Sequence, residues 1–241
     1  MKENAHVKPL RSTARSRISV RSAGVAAVAA LLLSSCSSTA PGVAADVDGT
    51  RITDDQVDQF AEVLCAIGGV PGGDAGSPTK TARFTSLQIL LTNQLTEDAT
   101  DVSKVPQQAV SQMLEGLAAA RDSLPSDQQS TFDQVAKDFA RSQQATVQLG
   151  RQSLLAAGQP ASGITDQTAY AAGQKIIAKY AEQADVKIDP RFGTLVNGQL
   201  QPSEGSLSVP VSDFAVKGAD ASSSADLVSL LPASQKCSSP S

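Results

Sequence analysis

The chain has 241 residues, with 20 Lys and Arg against 24 Asp and Glu, three cysteines, one histidine and no tryptophan. Lys2, Lys8, Arg11, Arg15, Arg17 and Arg21 face only Glu3 within residues 1–35, so removing that segment takes the formal charge from -4 to -9. The acidic remainder repels nucleic acid and anionic lipid. Its only histidine is His6, which leaves no imidazole for Ser-His-Asp or Cys-His catalysis, for a proton shuttle near neutral pH or for a His-containing metal site.

The basic opening is followed by the apolar run Ala23 to Leu33, an n-region and h-region in the order of an export signal. The run is too short to span a membrane as a helix, which takes about 20 residues. Leu33-Ser34-Ser35-Cys36 resembles a bacterial lipobox, in which the cysteine is acylated and becomes the new N-terminus. The other reading is a plain secretory peptide with an incidental cysteine. No adjacent arginine pair occurs, so general export is favoured over the twin-arginine route. Residues 1–35 are therefore expected to be a removed signal peptide and 36–45 a lipidated tether. The small, Pro/Gly-punctuated tether would reach at most about 30 Å.

In an exported setting Cys65 and Cys237 form an even pair with one possible connectivity. Either they form a disulfide closing a loop of over 100 residues, or they remain two thiols with Cys65 buried as a small hydrophobe. Two cysteines are too few for a cysteine-only zinc site. The acids are scattered singly or sit in helix first turns. No catalytic residue, metal site or cofactor is expected.

Along the chain, Ala45 to Ile52 alternates around Asp48-Gly49, predicting a tight hairpin. Thr53 and Gln56 spell a capping box, with Ile52 and Val57 as hydrophobic staple. The first helix then carries Val57, Phe60, Ala61 and Leu64 and stops at Gly68-Gly69. Ser77-Pro78 is expected to cap a second helix with the stripe Phe84, Leu87, Leu91 and Leu95, running to Ala99. Pro106 starts a third through Val110, Met113, Leu114 and Leu117, closed by Pro125. A longer fourth helix from Ser126 carries Phe132, Val135, Phe139, Thr146 and Leu154, with a bend expected at Gly150. The fifth starts at Thr165 and ends near Ala184.

Val186 to Ile188 is a short strand before Pro190, and Asn197-Gly198 marks a turn. One strand near each end predicts pairing between them. Gln107, Gln108, Gln128, Gln129, Gln143 and Gln144 read as solvated helix surface. With six Phe, two Tyr and no Trp, aromatic anchors are scarce, which argues against a deep pocket for a flat or sugar-like ligand. After Pro210 the chain is rich in Ser and Ala, and mobility is expected except where Cys237 is held.

Val47-Asp48-Gly49-Thr50-Arg51-Ile52-Thr53 and the Val57 to Leu64 helix resemble the opening of SurA-type periplasmic chaperones. Leu87 to Ala99 with Val102 to Val110 is similar to that family's next helix and turn. Val186 to Gly193 and Gly205 to Ser208 resemble the closing segment of actinobacterial lipoproteins of this type. The resemblance covers residues 45–209, through short motifs. It implies a mainly α, about five-helix domain over 46–209, with a small two-stranded β element joining its N- and C-terminal segments and a tail at 210–241. The family's isomerase members insert a histidine-bearing parvulin domain, which this chain lacks. A chaperone-like module without the isomerase is what remains.

The expected function is a holdase for unfolded or exported polypeptides, tethered outside the membrane through Cys36, without catalysis and without nucleic acid. Phe84, Leu87 and Leu91 are expected in the core, and no client site is assigned. The alternatives are an envelope adaptor docking one dedicated partner and, last, a carboxylate-dependent hydrolase. Cys36→Ser is expected to release the protein from the membrane fraction into the medium; retention in the membrane fraction contradicts lipid attachment.

Overall fold

In a computed structural model of the chain, which describes residues 39–69, 77–202 and 228–237, an antiparallel hairpin opens the fold. β1 (Val43–Val47) pairs with β2 (Thr50–Thr53). Asp48 and Gly49 both take positive φ, 50° and 92°, as a two-residue turn matching strand twist requires. β3 (Val186–Ile188) adds antiparallel to the other side of β1, giving the order β2-β1-β3. The expected pairing of the two chain ends is thus present, with β2 as a third strand. Asp48 locks it: its backbone N–H donates to Asp185 O at 3.1 Å, and its carboxylate accepts from Asp185 N at 2.9 Å and from the Tyr180 hydroxyl at 3.0 Å.

The strand begins inside the stretch expected as tether. Val43, Ala44 and Ala45 are buried, and Ala44 and Ala45 pack in one cluster with Leu87, Leu91, Leu95, Ile177 and Phe192, side chains that cover the strand from outside the sheet. Their lack of alternation hid the strand from a sequence reading.

The domain is mainly helical, built on five principal α-helices, and residues 228–230 are helical as well. α1 (Asp54–Ala66) starts with the full capping box between Thr53 and Gln56. It ends in a Schellman motif: Gly68 has φ 65°, Gly69 N–H donates to Leu64 O, and Gly68 N–H donates to Cys65 O. α2 (Thr79–Ala99) buries Leu87, Leu91 and Leu95 completely or nearly so. Ser77 does not cap it. Pro78 is the N-cap residue without a side-chain hydrogen bond, and the Ser77 carbonyl instead accepts from Cys237 N at 2.8 Å. α3 (Gln107–Asp122) buries Val110 alone, as expected of a helix lying on the outside of a bundle.

α4 (Ser126–Ala156) touches α1, α2, α3 and a fifth helix, α5 (Asp166–Ala181). It runs unbroken through Gly150, where a bend was expected. The glycine serves a close crossing with α5: a Cβ on Gly150 would lie 1.8 Å from Ala169 O, and one on Gly173 would lie 2.0 Å from Thr146 O. α5 ends at Ala181, short of Ala184, after starting from a Thr165/Thr168 capping box. A second hairpin, β4 (Thr194–Val196) with β5 (Gln199–Gln201), turns at Asn197-Gly198.

Three buried clusters fill the interior. Strands, α2 and α5 share the first, α1 and α4 with Cys237 the second, and Val105, Val110, Ala140 and Ala145 form the third. Cys65 and Cys237 are joined by a disulfide with a Cα–Cα distance of 5.0 Å. The 172 residues it spans give about 5 kcal/mol of unfolded-state entropy lost in the chain-entropy picture. Residues 228–237 belong to the expected tail, yet they pack on the domain, with an isolated bridge between Pro78 and Lys236 beside the disulfide. The rest of 210–241, and Cys36 with the signal peptide, lie outside the described residues.

Gly173→Ala should cost about 3 kcal/mol, read as a lower thermal midpoint, although Ala gains about 1 kcal/mol of helix propensity over Gly. Gly116→Ala in α3, where a Cβ meets nothing within 4 Å, should raise the midpoint. Equal behaviour of the two variants contradicts the close-crossing account.

Candidate functional site

Helical spacing places one polar face of each of three helices around a common space. Thr85, Gln88, Ile89, Thr92 and Asn93 share a face of α2; Phe139, Ser142, Gln143 and Thr146 share a face of α4. α5 contributes Tyr170, Gln174, Ile177 and Ala178, and the tip of the second hairpin, Asn197 to Gln199, completes an open cleft of about 260 Å³. The hairpin reaches α5 because Gly198 has no side chain: a Cβ there would sit 2.8 Å from Ala178 Cα. Asn197 and Gly198 both hold positive φ, 51° and 73°, so the Asn-Gly pair serves the turn and its last residue also serves the approach.

The cleft is neutral and rich in hydrogen-bonding groups. Six of its sixteen lining residues are primary amides, and none is Asp, Glu, Lys, Arg or His. The Thr92 and Thr146 hydroxyls each donate at 2.8 Å to the carbonyl four residues back, Gln88 O and Ser142 O. Their protons are thereby used within the helix, and their oxygens keep accepting capacity. Gln143 Nε2 donates to the Tyr170 hydroxyl at 3.1 Å, which leaves the phenolic proton available as a donor. Asn93 is 6% exposed, and its Nδ2 has no hydrogen-bond partner.

Two further concavities differ in chemistry. One, of about 440 Å³, lies between the start of α2, Phe192 and residues 231–235, with Lys80, Arg83 and Arg191 on its wall. Its arginines are committed. Arg83 pairs with Asp58, Arg191 pairs with Asp54 and Asp189 at 2.8 Å, and both guanidinium groups lie over the Phe192 ring, 5.2 and 5.9 Å from its centroid. Such contacts fix loops and fill space. The other, of about 190 Å³, holds Glu97 and Asp138. Desolvation, then repulsion from Asp138 and Asp98, raises the Glu97 carboxyl above its ordinary range.

The expected site residues are scattered. Cys36 lies outside the described residues. Cys65 and Cys237 tie α1 to the C-terminal segment and line none of these three concavities. Leu87 and Leu91 lie in the core, with Phe84 packed against it. Gln143, expected as solvated surface, lines the neutral cleft, and Gln129 Nε2 donates to Leu124 O in the turn between α3 and α4. Asn93, Gln88, Gln174 and Gln199 were not singled out by sequence. Amides on one helix face look alike whether they meet water or a docked hairpin.

No protein-family model, no curated protein and no solved structure matches the chain.

Hydrogen bonds and charge hold several aspartates in the ionised form. The Ser103 hydroxyl, Lys104 and the Ser103 N–H lower Asp101 to about 2; Arg121 lowers Asp133, and Arg191 lowers Asp189. Groups with depressed values stabilise the fold above their unfolded pKa of about 4 and lose that contribution as pH falls through the folded value. Thermal midpoints should therefore drop between about pH 4 and pH 2. Asp189→Asn should flatten part of that acid limb, and an unchanged limb contradicts the Arg191 contact as its source.

Proposed function

We propose that the protein is a lipid-anchored binding protein of the extracytoplasmic face, holding polypeptide segments without altering them. The observation that carries the reading is the neutral cleft between α2, α4, α5 and the β4–β5 hairpin, whose amides and hydroxyls match peptide groups in donor and acceptor character. The leader with Cys36, and a chain free of imidazole after His6, support tethering and non-covalent work. No helix among the described residues is long and apolar enough to cross a membrane. The acidic surface would keep the body off anionic lipid.

A dedicated envelope partner is the second reading, and one observation favours it. The large apolar side chains exposed among the described residues are Leu155 and Val196, on separate elements. A broad-range holdase uses a contiguous apolar surface to catch unrelated chains.

The holdase form predicts that near-stoichiometric protein suppresses aggregation of several unrelated unfolded proteins. The adaptor form predicts no suppression and recovery of one partner by crosslinked pulldown. Turnover of a prolyl peptide or a hydrolysable substrate by purified protein overturns both.

A further inference from the structure

The neutral cleft carries a hydrogen-bonding pattern narrower than general polypeptide holding demands. Resting on that reading, we propose that it takes an extended, uncharged polypeptide segment rich in Gly, Ser, Asn and Gln, with Asn93 and Tyr170 among its contacts.

Asn93 is the first reason. An amide donor that is buried and unpaired is costly in a folded protein and calls for an explanation. This one has 6% of its surface exposed, has an unpartnered Nδ2 and lies in the wall that the cleft shares with the concavity of Glu97 and Asp138. A ligand peptide group can meet either end of the amide, its carbonyl accepting from Nδ2 or its N–H donating to Oδ1. Tyr170 is the second. Its hydroxyl accepts from Gln143 Nε2 at 3.1 Å, so its own proton is oriented away from that bond and can meet an acceptor.

Charge supplies the specificity. With no ionisable carboxylate, ammonium or guanidinium among the sixteen lining residues, a charged segment would lose hydration and meet no counter-charge. An apolar segment would instead strand the amides and threonine oxygens. Primary amides offer donor and acceptor together, as the peptide group does. An oligosaccharide would share the hydrogen bonding, but its flat faces stack on aromatic rings, and the cleft provides only Phe139 and Tyr170 in a chain without Trp.

The test is a fluorescence-anisotropy titration of the full protein, isolated from its membrane in mild detergent. The probes are a fluorescein-labelled Gly/Ser/Asn/Gln peptide, versions interrupted by Lys or by Leu, and a labelled N-acetylglucosamine oligomer. The neutral peptide should bind at least about tenfold tighter than the other three. Asn93→Leu, of the same branching and free of the unpaired amide, should weaken it about tenfold while the protein still melts cooperatively. Gln174→Glu changes an exposed rim residue, so it should fold normally; it should improve binding of the Lys-bearing peptide. If Asn93→Leu does not fold, the charge exchange at Gln174 decides alone. Equal binding of all probes, preference for the sugar or no effect of Gln174→Glu overturns the assignment. Aggregation suppression that survives such a result leaves the holding function standing and removes only this site.

Discussion

Two helices that approach until their backbones touch impose the spacing on which the polar cleft depends. At the α4–α5 crossing the main chain near Thr146 faces Gly173 and the main chain near Ala169 faces Gly150, each at a distance where a methyl group has no room. The residues bracketing this crossing are the ones that line the cleft: Gln143 and Thr146 on α4, Tyr170, Gln174 and Ile177 on α5. A side chain at either glycine would separate the helices and pull these groups out of mutual reach. The packing constraint and the candidate binding surface are therefore one piece of geometry.

The fold is also closed by chain-end pairing. β1 gathers β2 from beside it in sequence and β3 from the far end of the helical region, while Asp48 joins the turn to α5 and to β3 through Tyr180 and Asp185. From β3 the chain runs to the hairpin that overlies the cleft. The sheet thereby sets where that hairpin lands, and Gly198 lets it land on Ala178. The disulfide acts separately, fastening the last described segment to the end of α1 beneath Phe60 and Phe132 of the same cluster. The disulfide, the chain-end pairing and the candidate binding surface involve different sets of residues.

Much of the helical framework was legible because its signals are local. Thr53 with Gln56, the Leu87-Leu91-Leu95 stripe and the Gly68-Gly69 stop each declare an element within a few residues. What stayed hidden depends on distant parts of the chain. Val43 to Ala45 carry no alternation, and what buries Ala44 and Ala45 is residues far along the chain, Leu87, Leu91, Leu95, Ile177 and Phe192. Gly150 looked like a flexible point, since nothing local announces a helix that will press against it. The amides of α2, α4 and α5 face outward by pattern, and they become a cleft only once a hairpin some 20 to 110 residues away in sequence docks over them. Periodicity marks apolar faces well; it does not distinguish a wet polar face from a recessed one.

The central claim is that polypeptide is held at the neutral cleft and left chemically unchanged. Hydrogen-exchange mass spectrometry of the full protein with and without a saturating unfolded client locates the contact directly. The account predicts added protection at the hairpin 194–201 and along the cleft-facing stretches 85–93, 139–146 and 170–178, with client mass unaltered. Protection confined to the basic concavity around Lys80 and residues 231–235, or a client cleaved or modified, would contradict it.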